Sequence, residues 1–298
     1  MALVNVLFKG NKQEIRVVEF PYCVHKMTSR DGTIIGYRQL GSGPGLILVH
    51  GGMMGSQNFM KLGYALADRF TVCIPDRRGR GLSGSHGNYS LEREGEDMSA
   101  VARKTGASNI FGLSSGAIIT LETALNEPAI RNVILYEPPI PVGGFDPTRW
   151  VGQYDDEIAK GKYGAALLTV AAGTNGPTLL TRLRFITAPL LNLAVKAEAK
   201  NVKGDDVSLK DLILTMRYDP QAVVQSTALM ERAKQLRADV LLLGGEKSPD
   251  YLKMALDVLE AALPQATRVN LKGVGHLAAD NGGRPKLVAR ELKRFLLN

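Results

Sequence analysis

Cysteine and histidine are scarce in this sequence of 298 residues, which holds two cysteines and four histidines. Cys23 and Cys73 cannot form the disulfide framework of a small secreted protein, so a reducing, cytoplasmic location is expected. The His, Cys and carboxylate residues show no spacing typical of metal ligands. We therefore predict neither a metal nor another cofactor.

Long apolar runs are also missing. No stretch approaches the roughly 20 apolar residues that a membrane-spanning helix needs. The first residues, MALVNVLFKG, lack the basic start and the small-residue cleavage site of a secretory signal. The sequence thus predicts a protein without a membrane span.

Basic residues outnumber acidic ones, with 37 Lys and Arg against 29 Asp and Glu and a formal net charge of +8. Such an excess can indicate a nucleic-acid partner. Here the basic residues are spread along the chain, and the densest group, Arg77, Arg78 and Arg80, lies in a turn discussed below. The pattern favours a solvated basic surface and no nucleic-acid partner.

Short β-branched runs alternate with longer helical patterns, which is typical of a mostly parallel sheet covered by helices. The first two runs flank the turn Arg30-Asp31-Gly32 and predict an antiparallel hairpin. The uniformly apolar run LILVH predicts a buried central strand. We predict an α/β fold with a mostly parallel eight-stranded sheet flanked by helices, its strands at residues 22–28, 33–39, 46–50, 70–75, 108–112, 132–137, 238–245 and 266–273.

The alternation breaks after the sixth strand, where helical fragments, Gly and Pro occur without a convincing strand. We predict a helical cap over residues 140–224, inserted into a core formed by residues 22–139 and 225–298. The apolar segment 179–195, LLTRLRFITAPLLNLAV, is either the interior of this cap or the wall of an apolar pocket. Residues 1–21 form an N-terminal arm, interpreted as an extra strand, a segment packed on the sheet or a contact in a homodimer.

A G-x-S-x-G motif, Gly112-Leu113-Ser114-Ser115-Gly116, stands directly between a predicted strand and a predicted helix. Glycines flank the serine because larger side chains would collide with neighbouring backbone in a tight strand-to-helix turn. The helix after Ser114 directs its free N–H groups at the serine. Ser114 is therefore the predicted nucleophile.

A serine hydroxyl needs a base within hydrogen-bonding reach, and this base is normally an imidazole. His25 lies in the opening hairpin and His86 in a loop after the fourth strand, so neither is well placed. His50 ends a buried strand, where we interpret it as an anchor for the next loop. His276 follows the last strand in a Gly-rich loop and is the predicted general base.

These motifs, in this order over residues 22–298, resemble those of the α/β-hydrolase superfamily. His50-Gly51-Gly52 is similar to the family's oxyanion loop, residues 76–83 to its D-x-R-G-x-G-x-S turn, and Val274-Gly275-His276 to its G-x-H segment. The resemblance implies that backbone N–H groups of Gly52 or Met53 and of Ser115 hold a developing oxyanion. It also implies an architectural role for the turn, although the turn's arginines could attract an anionic substrate.

The family's third catalytic residue is an acid that orients the histidine. Its commonest position is a G-x-x-D loop after the seventh strand, but this sequence has Ser248 where the aspartate is expected, with Glu246 and Asp250 nearby. The chain also resembles haloalkane dehalogenases, which place a glutamate at the end of the sixth strand, where this sequence has Glu137. Because a carboxylate that closes a buried strand needs a partner, Glu137 is the predicted acid and Glu246 the reserve.

Together these residues predict a serine hydrolase that cleaves an ester, lactone or thioester of a small apolar molecule through an acyl-enzyme. The serine disfavours dehalogenase and epoxide hydrolase chemistry, because those families use an aspartate nucleophile. Two alternatives stay open from the sequence: hydrolysis of a carbon–carbon bond by the same residues, and a catalytically weak ligand-binding protein on this fold.

Overall fold

Eight short strands form one sheet in the computed structural model of the chain, which describes residues 21–297. In chain order the strands are β1 (Cys23–Thr28), β2 (Ile34–Leu40), β3 (Gly45–Val49), β4 (Thr71–Pro75), β5 (Asn109–Leu113), β6 (Asn132–Tyr136), β7 (Asp239–Gly245) and β8 (Thr267–Leu271). Their spatial order is β1-β2-β4-β3-β5-β6-β7-β8. β2 is antiparallel to β1 and to β4, and all other neighbours are parallel. The predicted hairpin and mostly parallel sheet are confirmed, whereas the predicted N-terminal arm lies outside the described residues except for residue 21.

Successive residues of the central strands point to opposite faces of the sheet, and both faces are covered. On β3, Ile47 and Val49 pack into one large apolar cluster, while Leu46 and Leu48 pack into another. All four side chains are fully buried. This two-sided burial explains why the central strands have continuous apolar sequences.

Helices cover the sheet and begin and end at recognisable signals. The longest helix beside the sheet starts after Ser90, whose hydroxyl accepts a hydrogen bond from Arg93 N at 3.2 Å, and stops at Gly106, which has φ 69°. None of the helices within residues 21–297 is long and apolar enough to cross a bilayer. The helices are α1 (Met60–Leu66), α2 (Leu91–Thr105), α3 (Ser115–Asn126), α4 (Val151–Ala159), α5 (Tyr163–Asn175), α6 (Leu179–Arg182), α7 (Arg184–Glu198), α8 (Leu209–Leu214), α9 (Asp219–Ala233), α10 (Asp250–Ala262) and α11 (Pro285–Leu296).

Helices α4 to α8 lie between β6 and β7 in the chain and have an apolar cluster of their own, which includes Trp150, Tyr154, Val195 and Ile213. No strand occurs between residues 140 and 224, all of which the structure describes. The division into core and cap stays a prediction. Its expected boundary at residues 224 and 225 falls inside the continuous helix α9, which packs against α3.

The apolar segment 179–195 differs from both of its interpretations. Leu191 and Val195 do belong to the interior of the inserted helices. In contrast, Leu179 and Phe185 are each 72% exposed and Leu190 is 64% exposed. The expectation that this segment is cap interior or pocket wall is therefore wrong for its outer half, because one side of the α6–α7 pair has no packing partner among the described residues.

Gly116 marks the closest approach between α3 and the sheet. A Cβ atom on Gly116 would lie 2.5 Å from the carbonyl oxygens of both Val49 and His50. We expect Gly116→Ala to lower the free energy of unfolding by about 3 kcal/mol or more, because backbone would have to move apart. Urea denaturation measures this loss.

Gly152 is the matched control, since a Cβ there would meet nothing within 4 Å. Gly152→Ala is expected to raise the free energy of unfolding by about 0.5–1 kcal/mol, because it restricts the unfolded chain. Equal stabilities of the two variants would contradict the close packing of α3 on β3.

Candidate active site

Ser114 lies at the abrupt turn between β5 and α3. Its backbone has φ 58° and ψ −127°, a conformation that L-residues rarely adopt. The turn is held by hydrogen bonds from Ser114 N to Tyr136 O at 2.9 Å and from Ala117 N to Ser114 O at 2.8 Å. Within residues 21–297, positive φ angles in non-glycine residues occur at Met53, Ser114 and Glu137, all three of which the sequence selects as site residues.

Glu137 is fully buried at the end of β6. One carboxylate oxygen, Oε1, accepts a hydrogen bond from Gly245 N at 2.6 Å, and the other, Oε2, lies 2.8 Å from His276 Nδ1. The structure thus brings together two of the predicted site residues, which are 139 positions apart in the chain.

His276 is held by its loop as well as by Glu137. Its side chain is 9% exposed, and the preceding Gly275 carbonyl accepts a hydrogen bond from Tyr136 Oη at 3.0 Å. A carboxylate at Nδ1 fixes the neutral tautomer with its proton on that nitrogen. Nε2 is then the ring atom that can accept a proton.

The other candidate acids lie away from His276. Glu246 is exposed and accepts a hydrogen bond from Gly273 N at 2.8 Å, so it closes a turn. Asp250 is 92% exposed and pairs with Lys253. Ser248, at the position expected for the acid, is buried, and its hydroxyl has no hydrogen-bond partner among the described residues. The carboxylate that contacts the histidine therefore comes from β6 and not from the loop after β7.

The predicted oxyanion loop follows β3 and lies against the serine. A Cβ atom on Gly51 would be 3.2 Å from Ser114 Cβ, which shows how closely the loop backbone passes. Met53 has φ 52°. Ser115 is the first residue of α3, where a backbone N–H has no partner within the helix. Gly51 thus brings the start of the loop that continues to Gly52 and Met53 against Ser114, which directly precedes Ser115.

His50 anchors this loop, in agreement with its interpretation from sequence. Its Nε2 accepts a hydrogen bond from Arg77 N at 3.2 Å, and its Nδ1 donates to Gly51 O at 3.0 Å. Complete burial, followed by the charges of Arg80 and Arg77, lowers the pKa of His50 well below its usual value. The ring is accordingly a neutral structural bridge at ordinary pH.

A network of buried charged side chains, which the sequence did not predict, contacts Ser115 next to the predicted nucleophile. Arg77 makes a two-point contact with Glu94 and donates a hydrogen bond to Asp219 at 2.8 Å. Arg80 donates to the other oxygen of Asp219 at 2.7 Å. The Ser115 hydroxyl donates to Asp219 at 2.5 Å. Asp219, which begins α9, therefore connects the turn after β4 with the first residue of α3.

These contacts explain the role of the clustered arginines in the turn after β4. Arg77, Arg78 and Arg80 are each 3% exposed or less and are paired with carboxylates. This pairing agrees with the architectural role expected of the turn, and the alternative that its arginines attract an anionic substrate is wrong, because the turn has no exposed cation. Three arginines that follow a buried strand need buried acids, and that requirement was the available sequence signal for Glu94 and Asp219.

Neighbouring charges determine the ionisation state of Asp219. Burial by itself raises the pKa of this carboxyl, but Arg80, Arg77 and the Ser115 hydroxyl outweigh burial and lower the pKa to about 2. Asp219 is thus ionised at neutral pH and balances two buried guanidinium groups.

A cavity of about 620 Å³ opens beside His276. It is bordered by Asn175 at the end of α5, by Lys247 and Ser248 after β7, and by Arg284 before α11. The histidine loop is therefore reachable from a cleft that the loops after β7 and β8 and the end of α5 enclose. Within residues 21–297, no three His, Cys, Asp or Glu side chains are grouped so that they could hold a metal ion.

Comparison with known proteins identifies the family of the chain. A sequence model of the alpha/beta hydrolase family matches residues 46–291. The chain belongs to the alpha/beta hydrolase family. The predicted fold is thereby confirmed, as is the prediction of an enzyme with hydrolase activity.

Two proteins and one solved structure illustrate how similar the chain is to known members of this family. The uncharacterized hydrolase YraK of Bacillus subtilis (strain 168) is 33% identical over 125 residues, which are 38% of this chain and 46% of that protein, so the match spans less than half of that relative. Pimeloyl-(acyl-carrier protein) methyl ester esterase of Xanthomonas campestris pv. campestris (strain B100) is 24% identical over 259 residues, 86% of this chain and 96% of that protein. The crystal structure of an alpha/beta hydrolase from Sphaerobacter thermophilus DSM 20745 is 27% identical, with a TM-score of 0.74 over 91% of this chain and 99% of that one.

The network behind the site predicts a large effect of Asp219→Asn on stability. Removing one charge leaves two buried guanidinium groups with a single carboxylate, so we expect the free energy of unfolding at pH 7 to fall by about 3–5 kcal/mol. The pKa of Asp219 is depressed, so its contribution is complete above the ordinary value of 3.8 and is lost as the pH falls toward 2. The difference between variant and wild type should shrink over that interval in urea denaturation.

Asp205→Asn provides the control, because Asp205 is exposed and makes no ion pair within residues 21–297. Its unfolding free energy should stay within about 0.5 kcal/mol of wild type. If Asp219→Asn behaved like this control, the proposed balance of buried charges would be wrong.

Proposed function

We propose that this hydrolase cleaves an ester, lactone or thioester of a small apolar molecule, with Ser114 as nucleophile, His276 as general base and Glu137 as the acid. The observation that carries the proposal is the contact of 2.8 Å between buried Glu137 Oε2 and His276 Nδ1. It forms at the carboxyl ends of the parallel strands, where Ser114 with its positive φ angle also lies. A buried carboxylate on one imidazole nitrogen leaves the other nitrogen free for proton transfer.

The reaction starts with a proton transfer. His276 Nε2 takes the proton of the Ser114 hydroxyl as the serine oxygen attacks the carbonyl carbon of the substrate. The resulting imidazolium is stabilised by Glu137, whose second oxygen is already held by Gly245 N. Negative charge moves to the former carbonyl oxygen, where N–H groups of Gly52 or Met53 and of Ser115 bind it.

Collapse of this tetrahedral species breaks the bond to the leaving group, and His276 returns the proton to that group. The acyl chain is now bound to Ser114. His276 then deprotonates a water molecule, which attacks the acyl carbonyl and repeats the same charge development in the oxyanion loop. Release of the carboxylic acid regenerates the serine hydroxyl and the neutral histidine.

The surroundings of the loop favour an apolar acyl or leaving group. A Cβ atom on Gly52 would lie 2.9 Å from Met216 Sδ, so a thioether from the inserted helices borders the oxyanion loop. Met53 and Met54 belong to the loop itself. Methionines provide a flexible apolar wall that adapts to a substrate's shape.

The choice of ester chemistry has a further support. The Xanthomonas relative, matched over 96% of its length, is by name a methyl ester esterase. A serine nucleophile with a carboxylate-oriented histidine is suited to acyl transfer from such a bond. The small-molecule substrate, the lack of a cofactor, the cytoplasmic location and the homodimer remain predictions beside this proposal.

Three variants test the proposal with short-chain and medium-chain p-nitrophenyl esters. Ser114→Ala should lower kcat by about 10⁴-fold or more, because no acyl-enzyme can form. Glu137→Gln should lower kcat by about 10³–10⁴-fold with a smaller change in KM, because the amide no longer stabilises the imidazolium. Release of p-nitrophenolate gives both constants.

Glu246→Gln is the matched carboxamide control, since Glu246 is exposed and away from His276. We expect its kcat within about twofold of wild type. A larger loss in Glu246→Gln than in Glu137→Gln would transfer the role of the acid to the loop after β7. Absence of fluorophosphonate labelling at Ser114 in folded protein would instead favour a ligand-binding protein.

A further inference from the structure

Exposed apolar side chains are concentrated on one segment of the inserted helices. Thirteen large apolar side chains are exposed within residues 21–297, and seven of them lie between Leu179 and Leu193. Their exposed fractions range from 40% at Leu183 to 72% at Leu179 and Phe185. Such a contiguous apolar patch on a protein surface marks a site of interaction.

Helical geometry places these side chains on one side. Ile186, Leu190 and Leu193 of α7 are four and three residues apart and therefore share a face. The opposite face is used inside the insert, where Val195 is fully buried and the Ala188 carbonyl oxygen would lie 2.3 Å from a Cβ on Gly164 of α5. We call the outer side of Leu179, Leu183, Ile186, Leu190 and Leu193 the α6–α7 face.

The chain segment that carries the α6–α7 face is rich in basic residues. Residues 176–204 contain five basic residues and one acidic residue, Glu198. The acidic residue accepts a hydrogen bond from Leu209 N at 2.9 Å, and Arg184 pairs with Glu157. The other four basic side chains are exposed and make no ion pair with any residue of 21–297; they are Arg182, Lys196, Lys200 and Lys203.

We infer that the α6–α7 face binds the surface of an anionic lipid bilayer. An apolar helical face flanked by unpaired Lys and Arg is suited to that surface, because the apolar side chains enter the boundary between headgroups and acyl chains while the cations meet lipid phosphates. Binding here is peripheral and needs no spanning helix.

Charge favours a lipid bilayer over a second copy of the chain as the partner of the α6–α7 face. A two-fold contact through the α6–α7 face would place the same unpaired cations opposite one another. Like charges at close range oppose association, whereas an anionic lipid surface neutralises them. Charge complementarity therefore favours the bilayer over the homodimer on this face.

Co-sedimentation of the full chain with lipid vesicles tests the inference. We expect wild type to partition onto vesicles of phosphatidylcholine and phosphatidylglycerol in low salt, and much less onto phosphatidylcholine alone. Leu190→Ser combined with Leu193→Ser should lower the partition coefficient about tenfold or more, because both side chains lose their insertion. Lys196→Gln combined with Lys200→Gln should lower it about fivefold per lysine.

Each pair of substitutions has a matched control away from the α6–α7 face. Val224 and Val258 are exposed at 62% and 42%, so Val224→Ser with Val258→Ser removes apolar surface elsewhere. Lys104 and Lys234 are exposed, so Lys104→Gln with Lys234→Gln removes the same charge. Both controls should bind vesicles as wild type does. Urea denaturation of every variant, measured in parallel, reports folding and is independent of both lipid binding and the proposed activity.

Three outcomes would overturn the inference. Wild type could stay in the supernatant with anionic vesicles, or the controls could lose binding as much as the variants of the α6–α7 face do. Sedimentation velocity could also show a dimer that Leu190→Ser with Leu193→Ser dissociates, without any vesicle binding. That result would assign the face to self-association.

Discussion

Asp219 holds together parts of the molecule that are far apart in the chain. Its two oxygens contact Arg77 and Arg80 from the turn after β4, and one of them also accepts the Ser115 hydroxyl at the start of α3. A Cβ on Gly52 would lie 3.1 Å from its carboxylate carbon, so the oxyanion loop rests on the same group. The backbone around Ser114, and with it the predicted oxyanion site, thus depends on one buried carboxylate at the first residue of α9.

Backbone strain is placed where the chemistry is proposed. Met53, Ser114 and Glu137 have positive φ angles, and each follows a strand that ends at the same edge of the sheet. Parallel strands make this convergence automatic, since their carboxyl ends meet at one side. Strain of this kind persists because the surrounding sheet and helices over-determine the conformation. The fully buried Glu137 is likewise held by its surroundings, since its carboxylate accepts a hydrogen bond from a backbone N–H and contacts an imidazole.

Much of the fold could be predicted because its signals are local. Apolar runs specify the strands, and Ser90 and Gly106 specify the ends of α2. The motif around Ser114 is local as well. The partner of His276 is not local, because Glu137, Glu246 and Asp250 all lie near strand ends, and the sequence favoured Glu137 only through a family resemblance and the need of a buried carboxylate for a partner. Their distances from the imidazole depend on how β6, β7 and the last loop pack.

The sequence by itself determined the αβ rhythm, the sharp turn at Ser114 and the insertion after the sixth strand, because each depends on residues that are neighbours in the chain. Only the tertiary structure showed that the favoured Glu137, and neither Glu246 nor Asp250, contacts His276, which acids neutralise the arginines of the turn, and which side of α7 lacks a partner. These outcomes depend on contacts between residues that are 17 to 142 positions apart in the chain, or on the face of a helix that packing leaves exposed. Periodicity identifies an apolar segment, but only packing decides whether that segment is covered.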